Sequence, residues 1–249
     1  MKSNFGNNIV EPRDLSAGRT CFFSNGPYEY FHIRLSENPI TLPATGSYTV
    51  FVMSVDLGAS LRVDGWAGEL DQREVLQLEN TGACLSVLGG GATLLVAGSP
   101  QELPTQAGVL HQAESAIKKV VKPWGHELWF HGAHQTYAFK EIFIKAGTKT
   151  SLQYHRHKQE TNVLFAGSAV LHYQSDASVS IDAPPPEAIG TQSLEAVSSV
   201  DVTPFVLHRI EAKTDILLYE VSTPFLDDVV RVSDDSKRPD GRIDAEHSA

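Results

Sequence analysis

The stretch Gly147-Thr-Lys-Thr-Ser-Leu-Gln-Tyr-His155-Arg-His157-Lys-Gln-Glu160, running on to Gly167, decides how this chain is read. It holds the only His-x-His pair in the sequence. On an extended strand, residues two apart project from the same face, so the two imidazoles are expected to converge as a metal requires. Glu160 lies three residues beyond His157. An unbroken strand would send its carboxylate to the opposite face, so the chain must bend at Lys158-Gln159 to bring it round. Two neutral imidazoles and one carboxylate suit a divalent transition metal with open positions. The simpler reading is a pair of exposed strand histidines beside a surface Glu.

On both sides of this stretch the chain is a succession of short β-like runs. Towards the N-terminus these are Thr20–Phe23, Tyr28–Leu35, Tyr48–Val55, Leu61–Val63, Glu74–Leu78, Cys84–Leu88 and Thr93–Ala97. Turn signals such as Asp64-Gly65, Asn80-Thr-Gly82 and Gly89-Gly-Gly91 separate them, a pattern that predicts a sandwich or barrel. A break at Ser99–Pro104 and a short irregular or helical linker at Gln112–Lys119 come next. The β pattern then resumes at Val120-Val121, Glu127–Phe130, Tyr137–Lys145, Thr161–Phe165, Ser168–Tyr173, Val197–Val202, Val206–Ile210 and Ile216–Val221. A long loop carries Asp182-Ala-Pro-Pro-Pro-Glu-Ala-Ile-Gly190, either a lid or a passive insertion. The charged tail from Ser233 onward is expected to fray.

The two halves repeat this pattern weakly. Each closes on an apolar strand ending in a turn, Leu94-Leu-Val-Ala-Gly-Ser-Pro100 and Leu217-Leu-Tyr-Glu-Val-Ser-Thr-Pro224. Two all-β domains in tandem are therefore expected, over 1–110 and 111–249. The first contains a single histidine, His32, and no His-x-His. It is expected to lack metal ligands and to serve packing, dimerisation or shaping of the second site.

Composition narrows the class. The 249 residues are 41% apolar and 20% charged, as in a globular protein with sizeable cores. A formal net charge of −10 argues against partners that are nucleic acid or anionic membrane. It leaves room for an anionic substrate in a locally basic pocket. The N-terminal residues form no apolar signal region, and no apolar run is long enough to span a bilayer. A soluble, cytoplasmic protein is expected. Cys21 and Cys84 give no reason to expect a disulfide.

The second half resembles the cupin superfamily, and within it the type II mannose-6-phosphate isomerase-like branch, from about Val121 to Arg238. Lys122-Pro-Trp-Gly125 is similar to the entry signature of that branch, and Phe139-Lys140 and Ile144-Lys-Ala-Gly147 follow where the family has similar residues. Ser151–His157 with Glu160 and Gly167 is similar to the first cupin motif, and Pro204-Phe-Val-Leu-His208-Arg209 to the second. Leu217–Thr223 and Asp227–Arg231 resemble the closing segment. The resemblance implies tandem double-stranded β-helix (jelly-roll) barrels, a bicupin, with metal in the second. It places His155, His157, Glu160 and His208 on the ligand positions. Gln153 shares the strand phase of the two histidines and is an alternative ligand. The implied cofactor is zinc first, with manganese, iron or nickel as alternatives. Val206 stands where the second motif usually has Gly, and Thr-Asn follows Glu160 where the branch has His-Trp.

The implied activity is isomerisation or epimerisation of a sugar phosphate or related sugar derivative. Such chemistry needs a metal to polarise oxygens, a base to shuttle a proton and cations to hold an anionic group. Lys140 and Arg209 are the candidate catalytic cations. Gln153, Tyr154 and Trp124 are candidate substrate contacts, although such aromatics more often pack in a core. Lys149 and Arg156 read as surface charges. His126, His131 and His134 read as strand and loop histidines, with a second metal site as the alternative. A non-haem iron dioxygenase and a non-catalytic sugar-binding or regulatory cupin use the same frame. Because cupins often associate through their sheets, a homodimer is the default.

Overall fold

The computed structural model describes residues 9–10, 14–15, 18–24, 26–64, 66, 68–104, 106–132, 134–174 and 180–247. It is nearly all β, and the chain divides into two compact units. One comprises residues 14–118 with 130–139, the other 1–13, 119–129 and 140–249. Each is a cupin-like jelly roll of two antiparallel sheets. No helix among the described residues is long and apolar enough to cross a membrane.

In the N-terminal unit the larger sheet runs, in spatial order, Gly108–Gln112, Val75–Glu79, Ser47–Val55, Ala92–Ser99, Glu29–Leu35 and Arg19–Phe23. The smaller runs Ile40–Leu42, Ala83–Leu88, Ser60–Val63 and Glu69–Leu70. In Ala83–Leu88 buried residues alternate with half-buried or exposed ones, so one face meets the core. Ala92–Ser99 is buried nearly throughout, as suits a central strand. Ile33, Val50, Val52, Leu61, Leu85 and Leu94 meet between the sheets, each worth roughly 1.5–3 kcal/mol of burial.

In the C-terminal unit the larger sheet runs Ile9–Val10, Ser198–Val202, Glu160–Ala166, Ile216–Ser222, Ala138–Ile144, Gly125–His131 and Lys118–Lys122. The smaller runs Ile189–Glu195, Ser168–Gln174, His208–Ala212, Leu152–Tyr154 and Val230–Ser233. Ile142, Ile144, Leu164, Leu171, Val200 and Leu218 form its apolar core. The weak repeat has a structural counterpart. Ala92–Ser99 lies between two antiparallel neighbours in one larger sheet, and Ile216–Ser222 does the same in the other.

Two glycines of the motifs quoted above are required by close approach. A Cβ at Gly125 would lie 2.0 Å from Phe143 O, the backbone of the adjacent strand. At Gly167 it would lie 2.3 Å from Asp215 O, and the φ of +82° is left-handed.

Several expectations change. The linker holds the expected short helical piece, one turn of 3₁₀ helix at Glu114–Ala116, but is shorter than read, because the strands Gly108–Gln112 and Lys118–Lys122 take its ends. The proline loop gives way at Ile189 to a seven-residue strand, Ile189–Glu195. The charged tail does not simply fray. Asp234 pairs with Arg238 at 2.7 Å, both shielded, and Glu246 reaches Lys122 at 2.8 Å. Cys21 and Cys84 are not joined in a disulfide.

Candidate metal centre

The strand carrying the motif is short. Leu152–Tyr154 pairs with Val230–Ser233 and then stops, and residues 155–159 form a bend. The cause is Asp228. Its carboxylate accepts the amides of Arg156 (3.0 Å), His157 (2.5 Å) and Lys158 (2.9 Å), three successive donors that no strand partner could satisfy together. Those amides hold the Asp228 carboxyl below its usual range against the effect of its burial. Gln159 closes the bend by exchanging bonds with Thr223, amide to Oγ1 at 3.0 Å and carbonyl from the Thr223 amide at 2.9 Å.

Strand alternation therefore fails beyond Tyr154. His155 points inward and is fully buried, while His157 lies exposed with its ring 5.7 Å from that of Phe225. His157 is thus not brought to the other candidate ligands. One ligand atom each of His155, Glu160 and His208 lies within 4.8 Å of the other two, and all three residues are buried. Gln153 is the register partner of His208, and its Oε1 accepts from Ser151 Oγ at 2.5 Å.

Hydrogen bonds fix the ring nitrogens. His155 Nδ1 bonds the carbonyl of Asp228, and His208 Nδ1 lies 3.0 Å from the carbonyl of Val206. A carbonyl only accepts, so each Nδ1 carries the proton and each Nε2 of a neutral ring is bare. Both Nε2 atoms face Glu160, at 3.5 Å from Oε2 for His155 and 3.1 Å from Oε1 for His208. His155 Nε2 is buried with no hydrogen-bond partner. Two lone pairs aimed at a carboxylate repel unless a cation sits among them. The donor set fits a divalent transition metal.

Glu160 also ends a row of buried charges across four neighbouring strands of the larger sheet. Glu127, Lys140, Glu220 and Glu160 come from those strands, with Lys158 reaching in from the bend. Lys140 Nζ lies 3.2 Å from Glu127 and 3.3 Å from Glu220. Lys158 Nζ lies 2.8 Å from Glu220 and 2.5 Å from Glu160 Oε2. Burial opposes the charges of Glu127, Lys140, Lys158 and Glu160, but their neighbours of opposite sign overcome it. Glu160 is held well below the usual carboxylate range by Lys158, His155 and His208. Glu127 falls to about 2, drawn down by Lys140 and Lys122. Lys140 and Lys158 are both raised by their carboxylates. Asn162 Nδ2 donates to Glu160 Oε1 at 3.0 Å, and Trp129 Nε1 to Glu127 Oε2 at 3.1 Å.

The other sequence candidates divide. Lys140 joins this row. Arg209 follows His208 along one strand and so faces the other way; its Nη2 donates to Ser233 O at 2.9 Å. Trp124 is packed in the apolar core. Tyr154 is buried, donates to Asp182 Oδ1 at 2.6 Å and stacks on Phe205 with ring centroids 6.1 Å apart. Phe205 is exposed and takes a left-handed φ of 62°, one residue before the Val206 that departs from the second motif. Its amide donates to His155 O at 2.7 Å, which ties that motif to the first. Sequence reasoning missed Lys158, Glu127, Glu220 and Asp228. The signal for Glu220 was present, since Ile216-Leu-Leu-Tyr-Glu-Val-Ser222 sets one acid in an otherwise apolar central strand.

Residues 110–234, half of the chain, match the family described as mannose-6-phosphate isomerase C-terminal. No curated protein sequence matches the chain. Among solved structures, protein GK1651 of Geobacillus kaustophilus superposes with a TM-score of 0.61 at 10% identity, covering 94% of this chain and 98% of its own. Oxalate decarboxylase of Bacillus subtilis, a protein with Mn(II) centres, gives 0.59 at 10% identity over 82% and 71%. Protein Ylba of E. coli gives 0.60 at 8% identity over 86% and 89%. At these identities the likeness is one of fold.

Proposed function

Because the chain belongs to the mannose-6-phosphate isomerase C-terminal family of cupins, we propose that it is a metal-dependent isomerase or epimerase of a sugar phosphate or related sugar derivative. The observation that carries this reading is the pair of imidazole Nε2 atoms turned on Glu160, that of His155 buried and without a hydrogen-bond partner, backed by the Lys158 ammonium. His155, Glu160 and His208 would hold the metal. When bound, a divalent metal polarises carbonyl and hydroxyl oxygens.

The chain's own residues supply charge and shape around it. Lys158 keeps a permanent positive charge beside Glu160 and favours negative charge developing on substrate oxygens. Lys140 shares Glu220 with Lys158 and so positions that ammonium. Tyr154 and the exposed Phe205 and Phe225 offer aromatic faces to a sugar ring.

The test uses full-length protein loaded separately with zinc, manganese, iron and nickel. Each sample is incubated with a panel of aldose and ketose phosphates in D₂O and followed by ¹H NMR. Interconversion with deuterium entering at the carbon next to the carbonyl is the expected result. No turnover by any metal-replete sample would overturn the proposal, as would oxygen uptake by the iron form without isomerisation.

A further inference from the structure

We propose that Glu79, His131 and His134, all within the N-terminal unit, form a second divalent-metal site that ties the turn after His131 to the larger sheet of that unit. Glu79 ends the strand Val75–Glu79, and His131 ends the strand Gly125–His131. One ligand atom of each of the three residues lies within 4.8 Å of the other two. Two imidazoles and a carboxylate from separate segments make a three-ligand set that suits zinc, cobalt or nickel, with a fourth position for water.

The surroundings have the character of a supported site. His134 is buried, and its Nε2 lies 3.1 Å from Glu79 Oε1 yet makes no hydrogen bond. Nitrogen and oxygen lie close but out of line for a hydrogen bond, and an ion held by both would take the place of the Nε2 proton. At the far side of the ring, Nδ1 accepts the Thr136 amide at 3.2 Å and lies 2.8 Å from Thr136 Oγ1, which fixes the ring with Nε2 turned to Glu79. Glu79 Oε1 accepts from Ser47 Oγ at 2.8 Å. Ser47 Oγ in turn lies 3.4 Å from the hydroxyl of the fully buried Tyr137, which bonds Thr49 Oγ1 at 2.8 Å. The rings of His131 and His134 pack together at 5.1 Å and against Tyr137 at 5.6 Å and 4.6 Å. Such apolar contact favours the neutral imidazole that a metal requires.

A rival arrangement needs no ion. Because the Thr136 amide donates to Nδ1, the ring without an ion keeps its proton on Nε2, and His134 and Glu79 are then a simple close pair. A metal at Nε2 has to displace that proton.

Counting Zn²⁺ decides between the two. Tag-free full-length protein is stripped with chelator and titrated against a competing chromophoric chelator, so that weak surface histidines drop out. Circular dichroism confirms that each variant is folded. The wild type is expected to bind two equivalents, His155→Ala one, His131→Ala one, and the double variant none. Glu79→Gln, which keeps the shape of the side chain, should weaken the equivalent that survives in His155→Ala by about 10-fold or more. Retention of the wild-type count by His131→Ala overturns the proposal, as does a His155→Ala protein that binds no zinc. A wild type with one equivalent that only His131→Ala removes keeps this site and overturns the one at His155.

Discussion

Asp228 is the residue on which the candidate metal centre turns. Its side chain gathers three amides of the 156–158 bend, and its main-chain oxygen takes the His155 proton. Asp228→Ala should therefore lower metal affinity by about 10- to 100-fold, read by chelator competition, with an unchanged circular dichroism spectrum. His157→Ala should leave the affinity as it is, because that ring is outside the cluster. Equal affinities in wild type and Asp228→Ala would dismiss the clamp. These two histidines also show what a sequence conveys at this scale. The residue types of the centre were legible in the motif. Which histidine turned inward was not, because alternation holds only while a strand continues, and a carboxylate from seventy-odd residues away ends it.

At the scale of elements, strand positions read well where apolar runs met glycine and asparagine turns. Ser47–Val55, Ala138–Ile144 and Ile216–Ser222 lie within a residue or two of their expected bounds. The strands that escaped notice were short or polar, such as Glu69–Leu70 and Ile189–Glu195. They owe their conformation to the neighbour they pair with more than to their own composition. Gly125 sits where two strands come too close for any side chain. Gly125→Ala should cost about 2–3 kcal/mol, measured as a lower urea midpoint at unchanged slope. Gly108→Ala, where a new Cβ would meet nothing within 4 Å, is the control and should leave the midpoint nearly unchanged. A similar loss in both variants would remove the steric explanation.

Across the whole molecule, tandem jelly rolls were legible because both halves carry the same rhythm of strands. The asymmetry between them has a measurable consequence. In the N-terminal unit, burial and the Arg34 guanidinium push His32 down from 6.5 to about 4. The folded unit thus keeps a neutral ring where the unfolded chain takes up a proton. That contribution to stability is full above about pH 6.5 and is lost as the pH falls from 6.5 towards 4. Melting curves across this window should show a shallower decline for His32→Gln than for the wild type. Parallel declines would assign the effect to other groups.

The row of charges from Glu127 to Glu160 carries a consequence for inheritance. Each member is stabilised by neighbours of opposite sign, so one substitution strands the others. Lys158→Met alone should destabilise the metal-free protein by about 3–5 kcal/mol, and adding Glu220→Gln should restore a good part of that loss in a double-mutant cycle. If the two losses simply add, the row is not a unit. If they compensate, its positions are epistatic: a lineage keeps the row intact or replaces it in concert, because each single-step intermediate carries the cost of a stranded charge.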